Sequence, residues 1–131
     1  RNGLTNLDYK CADVFDLLTE MAREKKCGYE YIILDPPAFT KSRATAKNAY
    51  HGYKEINMKA MRLLPRGGYL ATCSCSHFAT AEKFEAMLRS AAHDAGVQLR
   101  QIEARQQGCD HPILWGVEET DYLKFYLFQI V

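Results

Sequence analysis

Strand-like and helix-like segments alternate along the first 104 residues of this 131-residue chain. Short β-branched and aromatic runs occupy residues 29–34, 69–75 and 97–104, and apolar residues at helical spacing occupy residues 14–26, 46–64 and 81–95. Such alternation predicts a parallel α/β sheet with helices on both faces. A polar loop at 106–121 and a final strand at 122–131 follow with no helix between the last two strands, which predicts one antiparallel strand.

Composition limits the chain to one ordinary domain, because 47% of the residues are apolar and 25% are charged. No apolar stretch approaches the roughly 20 residues that span a bilayer, so no membrane segment is expected. The five cysteines are an odd number without the dense spacing of a disulfide framework. Free thiols in a reducing compartment are therefore predicted, and with them a cytoplasmic location.

Positive charge is concentrated in residues 41–66, although the whole chain carries a net charge of only +1. This block contains one acid, Glu55, and seven bases: Lys41, Arg43, Lys47, Lys54, Lys59, Arg62 and Arg66. A basic block on an otherwise acidic domain suits a polyanion such as nucleic acid. A solvated helix face is the alternative explanation for the same pattern.

Reactive side chains follow the predicted strands, at the edge where α/β sheets collect their chemistry. Asp35 ends a buried strand and is followed by two prolines, which hold its carboxylate on a stiff turn with Phe39 close behind. An aromatic ring on such a turn can press a flat ligand into place. A simple turn former is the alternative role for Asp35.

Cys75 also ends a predicted strand, shortly before a helix that Thr80 can cap. A thiolate there would be stabilised by helix amides and basic neighbours, and a buried structural cysteine is the alternative. If the two strands are neighbours, Asp35 and Cys75 converge on one pocket. Cys73, Cys75 and His77 could instead bind a metal, although a fourth ligand and paired Cys-x-x-Cys motifs are missing.

Several spaced motifs resemble class I methyltransferases, and more narrowly the bacterial 23S ribosomal RNA 5-methylcytosine methyltransferases that carry an N-terminal PUA domain. The motifs are Asp13-Val14-Phe15, Asp35-Pro36-Pro37-Ala38-Phe39 with Lys41-Ser42, Gly52 to Asn57, Leu63-Leu64 with Gly67-Gly68, Ser74 to Phe78, Asp110-His111-Pro112 and Tyr122-Leu123-Lys124. The resemblance implies a Rossmann-like sheet, mostly parallel with one antiparallel strand near the C-terminus. It also implies an enzyme that uses S-adenosylmethionine and acts on cytosine in RNA.

The resemblance further implies a role for each matched residue. Cys75 of the Ser-Cys-Ser motif would be the nucleophile, with Asp35 as its catalytic partner. Asp13, Val14, Asp35 and Pro36 would bind the cofactor, and Pro37, Phe39, Lys41 and Lys54 would bind the RNA substrate. Related guanine-modifying enzymes have asparagine-rich sequence at the position of Ser74 to Ser76, which favours cytosine here.

The chain departs from the family pattern because the glycine-rich cofactor loop and the first two strands are absent. Residues 1–131 are therefore expected to be the C-terminal part of a single catalytic domain, inactive alone. Loss of those strands would expose the apolar strand at 31–34 as an edge and detach residues 7–12, so self-association is expected. A non-catalytic RNA-binding or assembly domain and a thiol or metal protein are the alternatives.

Overall fold

The computed structural model describes residues 3–24, 28–39, 46–76 and 79–131. The α-helices are α1 (Val14–Glu24), α2 (Ala46–Leu63) and α3 (Ala81–Ala95). The strands are β1 (Tyr31–Leu34), β2 (Tyr69–Ser74), β3 (Leu99–Arg105) and β4 (Lys124–Ile130), and a 3-10 turn spans Glu118–Thr120. The predicted order of helices and strands from residue 14 onward is confirmed.

Local capping interactions explain where two helices begin and where one ends. The Asp13 carboxylate accepts hydrogen bonds from the backbone amides of Phe15 (2.8 Å) and Asp16 (3.2 Å), which caps α1. The Thr80 hydroxyl accepts from the backbone amide of Lys83 and caps α3. Gly96 ends α3 in the left-handed conformation, with a φ of 73°, where glycine avoids Cβ strain.

The four strands form one sheet in the order β1, β2, β4, β3. β1 pairs with β2 in parallel, whereas β4 pairs with both β2 and β3 in the antiparallel sense. The prediction of a mostly parallel sheet is therefore wrong at the level of pairings. The physical reason is that β4, the one reversed strand, lies between two strands that run in the same direction, so that both of its pairings are antiparallel.

The hydrophobic core lies on one face of this sheet. Buried residues of all three helices join Leu34, Leu70, Tyr126 and Phe128 in one cluster, and the strand register places these four on the same face. The expectation of helices on both faces is wrong for the described part of the chain. We call the opposite side the open face, and it carries Ile33, whose side chain is 67% exposed.

The start of the described chain is separate from the sheet, as expected. Residues 3–13 contain no strand, and Leu7 and Tyr9 are exposed. β1 is consequently an edge strand, and Tyr31 and Ile33 are both exposed there. No helix within the described ranges is long and apolar enough to cross a membrane.

Candidate active site

The ends of β1 and β2 bring the two predicted catalytic segments together. Leu34 lies opposite Thr72 in the parallel register, so Asp35 emerges beside Cys73. The Cys73 Sγ lies 3.1 Å from Asp35 Oδ1 and 3.3 Å from the Leu34 carbonyl oxygen, and its S–H group donates to these acceptors. β1 and β2 are neighbours, as the convergence of Asp35 and Cys75 on one pocket requires, and Cys73 is the residue that contacts Asp35.

Cys73 is suited to be a hydrogen-bond donor and not a nucleophile. Burial raises the pKa of its thiol to about 12, and the hydrogen bond to Asp35 and the nearby negative charges of Asp35 and Cys75 act in the same direction. The thiol therefore keeps its proton at neutral pH and orients the Asp35 carboxylate.

Cys75 lies one residue beyond β2 and is exposed, in contrast to its buried neighbours Ser74 and Ser76. The Ser74 hydroxyl stabilises the turn by accepting a hydrogen bond from the backbone amide of Ser76 (3.4 Å). The Ser74 hydroxyl also donates to the Tyr53 hydroxyl (3.1 Å). An accessible thiol is thus held on a turn whose two flanking residues are fixed in the protein interior.

Tyr53 of α2 connects this turn to the loop that follows β1. Its ring packs edge-on against Phe39, with ring centroids 4.6 Å apart, and its hydroxyl accepts a hydrogen bond from the Ser74 hydroxyl. Burial raises the pKa of Tyr53, and hydrogen bonds from Ser74 and from the Phe39 backbone partly offset that effect. The Phe39 loop and the Cys75 turn are therefore linked through one buried phenol, a role that sequence reasoning missed.

Lys124 is a second residue that the sequence analysis did not assign. Its Nζ donates to the carbonyl oxygens of Ser76 (2.6 Å) and Tyr122 (2.8 Å), and its side chain is buried. Burial lowers the pKa of Lys124, and the negative charges of Asp121 and Cys75 oppose that shift. The signal was present in the alternation of β4, which places Lys124 on the same face as Tyr126 and Phe128.

The residues predicted to bind the cofactor lie on neighbouring segments. Asp13 and Val14 are exposed at the start of α1, and Phe15 contacts Phe39 with ring centroids 6.0 Å apart. The start of α1 therefore adjoins the loop that begins at Asp35. Within that loop Asp35 and Pro37 are exposed, Pro36 is buried and Phe39 is half-buried.

The basic block contacts the protein itself at several positions. Lys54 forms a 2.7 Å ion pair with Asp94, Lys59 pairs with Glu55, and Arg62 donates to the Asp94 carbonyl oxygen. Lys41 and Arg43 lie outside the described residues, as does His77 of the possible metal site. Within the described ranges no three metal-ligating side chains form a cluster.

Comparison with solved structures identifies the fold. The chain superposes on SMU.776, a protein assigned as a methyltransferase and crystallised with SAH, with a TM-score of 0.73 at 20% identity. This match covers 90% of the chain and 30% of that protein. The chain has a methyltransferase fold. A second methyltransferase structure, from Streptococcus mutans, gives the same TM-score over 90% of the chain and 29% of its own length.

Comparison with curated proteins finds closer sequence similarity to the same class of enzyme. The chain is 44% identical over 125 residues to "Ribosomal RNA large subunit methyltransferase I" of Shewanella amazonensis, and 36% identical over 128 residues to that of Shigella dysenteriae. These matches cover 94% and 98% of the chain. The chain spans only about a third of each relative: 31% of the Shewanella amazonensis protein and 32% of the Shigella dysenteriae protein. No family model matches it.

Proposed function

We propose that the intact gene product carrying this chain is an S-adenosylmethionine-dependent methyltransferase that modifies carbon 5 of cytosine in 23S ribosomal RNA. The observation that carries the proposal is the exposed Cys75 thiol on the turn after β2, the strand that pairs with the strand ending just before Asp35. Similarity to the large-subunit ribosomal RNA methyltransferases supports the reaction class and the RNA substrate. An exposed thiol after the strand that neighbours Asp35 favours a pyrimidine target such as cytosine, because carbon 5 of a pyrimidine reacts only after a nucleophile adds to carbon 6.

The described residues fit part of a cofactor site. Asp13 uses one carboxylate oxygen to cap α1, and its second oxygen accepts no hydrogen bond within the described ranges. Exposed Asp13 and Val14 would bind the adenine end, and Asp35 with Pro36 would form the junction with the target base. S-adenosylmethionine supplies an electrophilic methyl group when bound.

Cys75 would start the reaction by forming a bond from its sulfur to carbon 6 of cytosine. The electron pair of the 5,6 double bond then forms a double bond between carbons 4 and 5, and the electron pair of the carbon 4–nitrogen 3 double bond moves onto nitrogen 3. The product is an enamine whose carbon 5 is nucleophilic. After carbon 5 has gained its methyl group, a base removes the carbon-5 proton, the double bond re-forms and the sulfur leaves as thiolate. Pro37 and Phe39 would contact the base, and Lys41 and Lys54 would contact RNA phosphates.

Asp35 would stabilise the charge that develops on the base during addition. Its carboxylate is exposed and oriented by the Cys73 thiol, so it can accept a hydrogen bond from the exocyclic amine of cytosine, or from the ring nitrogen once that nitrogen has taken up a proton from solvent during addition. The donor stays a neutral thiol at working pH, because the pKa of Cys73 is about 12.

The test compares Cys75→Ala with Cys73→Ala in the intact gene product. We expect Cys75→Ala to abolish methyl transfer from labelled S-adenosylmethionine to ribosomal RNA, because carbon 6 then has no nucleophile. Cofactor affinity by calorimetry should stay nearly unchanged, and Cys73→Ala should be milder. Near-normal turnover of Cys75→Ala refutes the nucleophile, and a methyl group found on guanine by mass spectrometry refutes the assignment to cytosine.

A further inference from the structure

Lys124 is a buried lysine that forms no direct ion pair with the residues that the structure describes. Its side chain is 7% exposed, and it forms no salt bridge with any carboxylate in the described part of the chain. Two carbonyl oxygens, of Ser76 and Tyr122, accept hydrogen bonds from Nζ. Neutral carbonyls satisfy the donors but do not cancel the charge, and a buried charge is costly unless it is paired.

The Cys75 turn is the segment that this lysine holds. Ser76 directly follows Cys75, and its carbonyl oxygen is 2.6 Å from Lys124 Nζ. Tyr122, whose carbonyl oxygen is the other acceptor, lies two residues before Lys124 in the approach to β4. One ammonium group therefore fastens the nucleophile turn after β2 to the central strand of the sheet.

The titratable groups near Cys75 differ in charge. Cys73 on β2 and Tyr53 on α2 both stay protonated and neutral, because burial raises the pKa of each. Lys124 on β4 is a cation that interacts electrostatically with Cys75, and Asp121 interacts with Lys124 from the preceding loop. A thiolate at Cys75 would add a second negative charge, after that of Asp121, near the buried ammonium.

We propose that Lys124 is a positioning residue for Cys75, which anchors the Ser74–Ser76 turn and places a positive charge beside the nucleophilic thiolate. This inference rests on the proposed function only in assigning a catalytic use to the Cys75 thiolate. The contact and the electrostatic coupling between the two side chains are testable without any methyl transfer.

The first test measures how fast iodoacetamide alkylates Cys75 at neutral pH in the intact gene product, relative to exposed Cys109 in the same sample. Peptide mass spectrometry separates the two sites. We expect Lys124→Met to lower the Cys75 to Cys109 ratio by about three- to tenfold, as loss of one nearby charge would. Lys124→Arg should retain most of the ratio, and Lys83→Met, a change of an exposed lysine on α3, should leave it unchanged.

An unchanged ratio in folded Lys124→Met overturns the proposal. If that variant does not fold, an NMR titration of the Lys124 ammonium decides instead, with Cys75→Ser compared with the unaltered protein. Removal of the thiolate should lower the pKa of Lys124, because the Cys75 charge raises it. An unaltered Lys124 titration in Cys75→Ser overturns the proposal, and Cys109→Ser serves as the control.

Kinetics separate this proposal from the proposed function. Lys124→Met should lower kcat for methyl transfer while cofactor affinity stays the same, because the lysine acts through the thiol. If alkylation depends on Lys124 but cytosine is never methylated, the proposed function alone is refuted. If cytosine is methylated but alkylation ignores Lys124, the positioning role alone is refuted.

Discussion

Asp35 is held in position by the prolines that follow it and by a side chain of the neighbouring strand. Pro36 and Pro37 stiffen the turn that follows it, and Cys73 on the neighbouring strand directs a thiol at its Oδ1. The carboxylate is nevertheless exposed and can accept further hydrogen bonds from a ligand. A group that is fixed before substrate binds does not have to reorganise during the reaction, which is the property of an electrostatic catalyst.

Replacement of Asp35 by asparagine tests this role. The amide oxygen can still accept the Cys73 hydrogen bond, so the free energy of unfolding should change little. Methyl transfer by the intact gene product should slow by about a hundredfold or more, the usual loss for one preorganised electrostatic contact. The measurement is single-turnover methylation with urea denaturation as the control, and an unchanged rate would assign Asp35 to a structural role.

Sequence reasoning located the candidate site residues at the ends of helices and strands but not their contacts. Asp13, Asp35 and Cys75 could be placed from the ends of periodic segments, because capping and strand termination are local effects. The partner of Asp35 depends on the register between β1 and β2, in which Leu34 lies opposite Thr72. Register is set by packing across the whole sheet, so the Cys73 contact could not be read from local pattern.

For β4, too, the local structure could be predicted from the sequence but the pairing with other strands could not. Its alternation predicts a strand with one side in the core, and every second residue from Lys124 to Ile130 is buried. Its place between β2 and β3 was not predicted, because local periodicity does not specify which strands will pair. The error of a mostly parallel sheet follows from that one insertion.

Tyr126 joins β4 to α3, and its hydroxyl donates to Glu85 Oε1 at 2.8 Å. Burial raises the pKa of Tyr126 to about 12, and the hydrogen bond and charge of Glu85 add to the effect. The folded state therefore holds the phenol proton more tightly than the unfolded state. The resulting stability is complete below about pH 10 and is lost as pH rises through about 12.

Tyr126→Phe should lower the free energy of unfolding at neutral pH by about 1 kcal/mol, the usual net value of one hydrogen bond. The loss of stability between about pH 10 and pH 12 should become shallower in the variant, while the part due to Cys73 remains. Urea denaturation at several pH values measures both effects. Tyr9→Phe is the matched control, since the Tyr9 side chain is 90% exposed.

Gly68 precedes β2 at a point where backbone atoms of two other segments of the chain come close. A Cβ at this position would lie 2.9 Å from the Pro65 carbonyl oxygen and 3.2 Å from that of Glu30. Gly68→Ala should therefore lower the free energy of unfolding by about 1 to 3 kcal/mol, as overpacking does. In urea denaturation, Gly28→Ala should be neutral or slightly stabilising, because nothing lies within 4 Å of its Cβ; equal effects would contradict the steric cause.

At the scale of the whole molecule, the open face and the β1 edge are surfaces that no other described part of the chain covers. Ile33 and Tyr31 are exposed on a strand with one unpaired side, and such edges are templates for pairing with a second chain. The three helices pack on the other face, where they cover Leu34 of β1 and leave Tyr31 and Ile33 uncovered. These features support the earlier expectation that the 131-residue chain self-associates when it is expressed alone.

Ile33→Lys should reduce that self-association, because a charge on an edge strand disfavours pairing with a second edge. Ile102→Lys makes the same change at an exposed isoleucine on β3, the strand at the opposite edge, and should have a smaller effect. Light scattering over a range of protein concentration measures both variants. A monodisperse monomer for the unaltered chain, or equal effects of the two changes, would contradict the role of β1.

The position of β4 determines when the sheet can be completed during synthesis. β2 and β3 both pair with β4 and not with each other, yet β4 is the last of the four strands to be translated. The ribosome adds about 5 to 20 residues per second, so about one to five seconds separate the end of β3 from the end of β4. During that interval β3 has no partner strand in the sheet, so the antiparallel half of the sheet forms only after the last strand has been made.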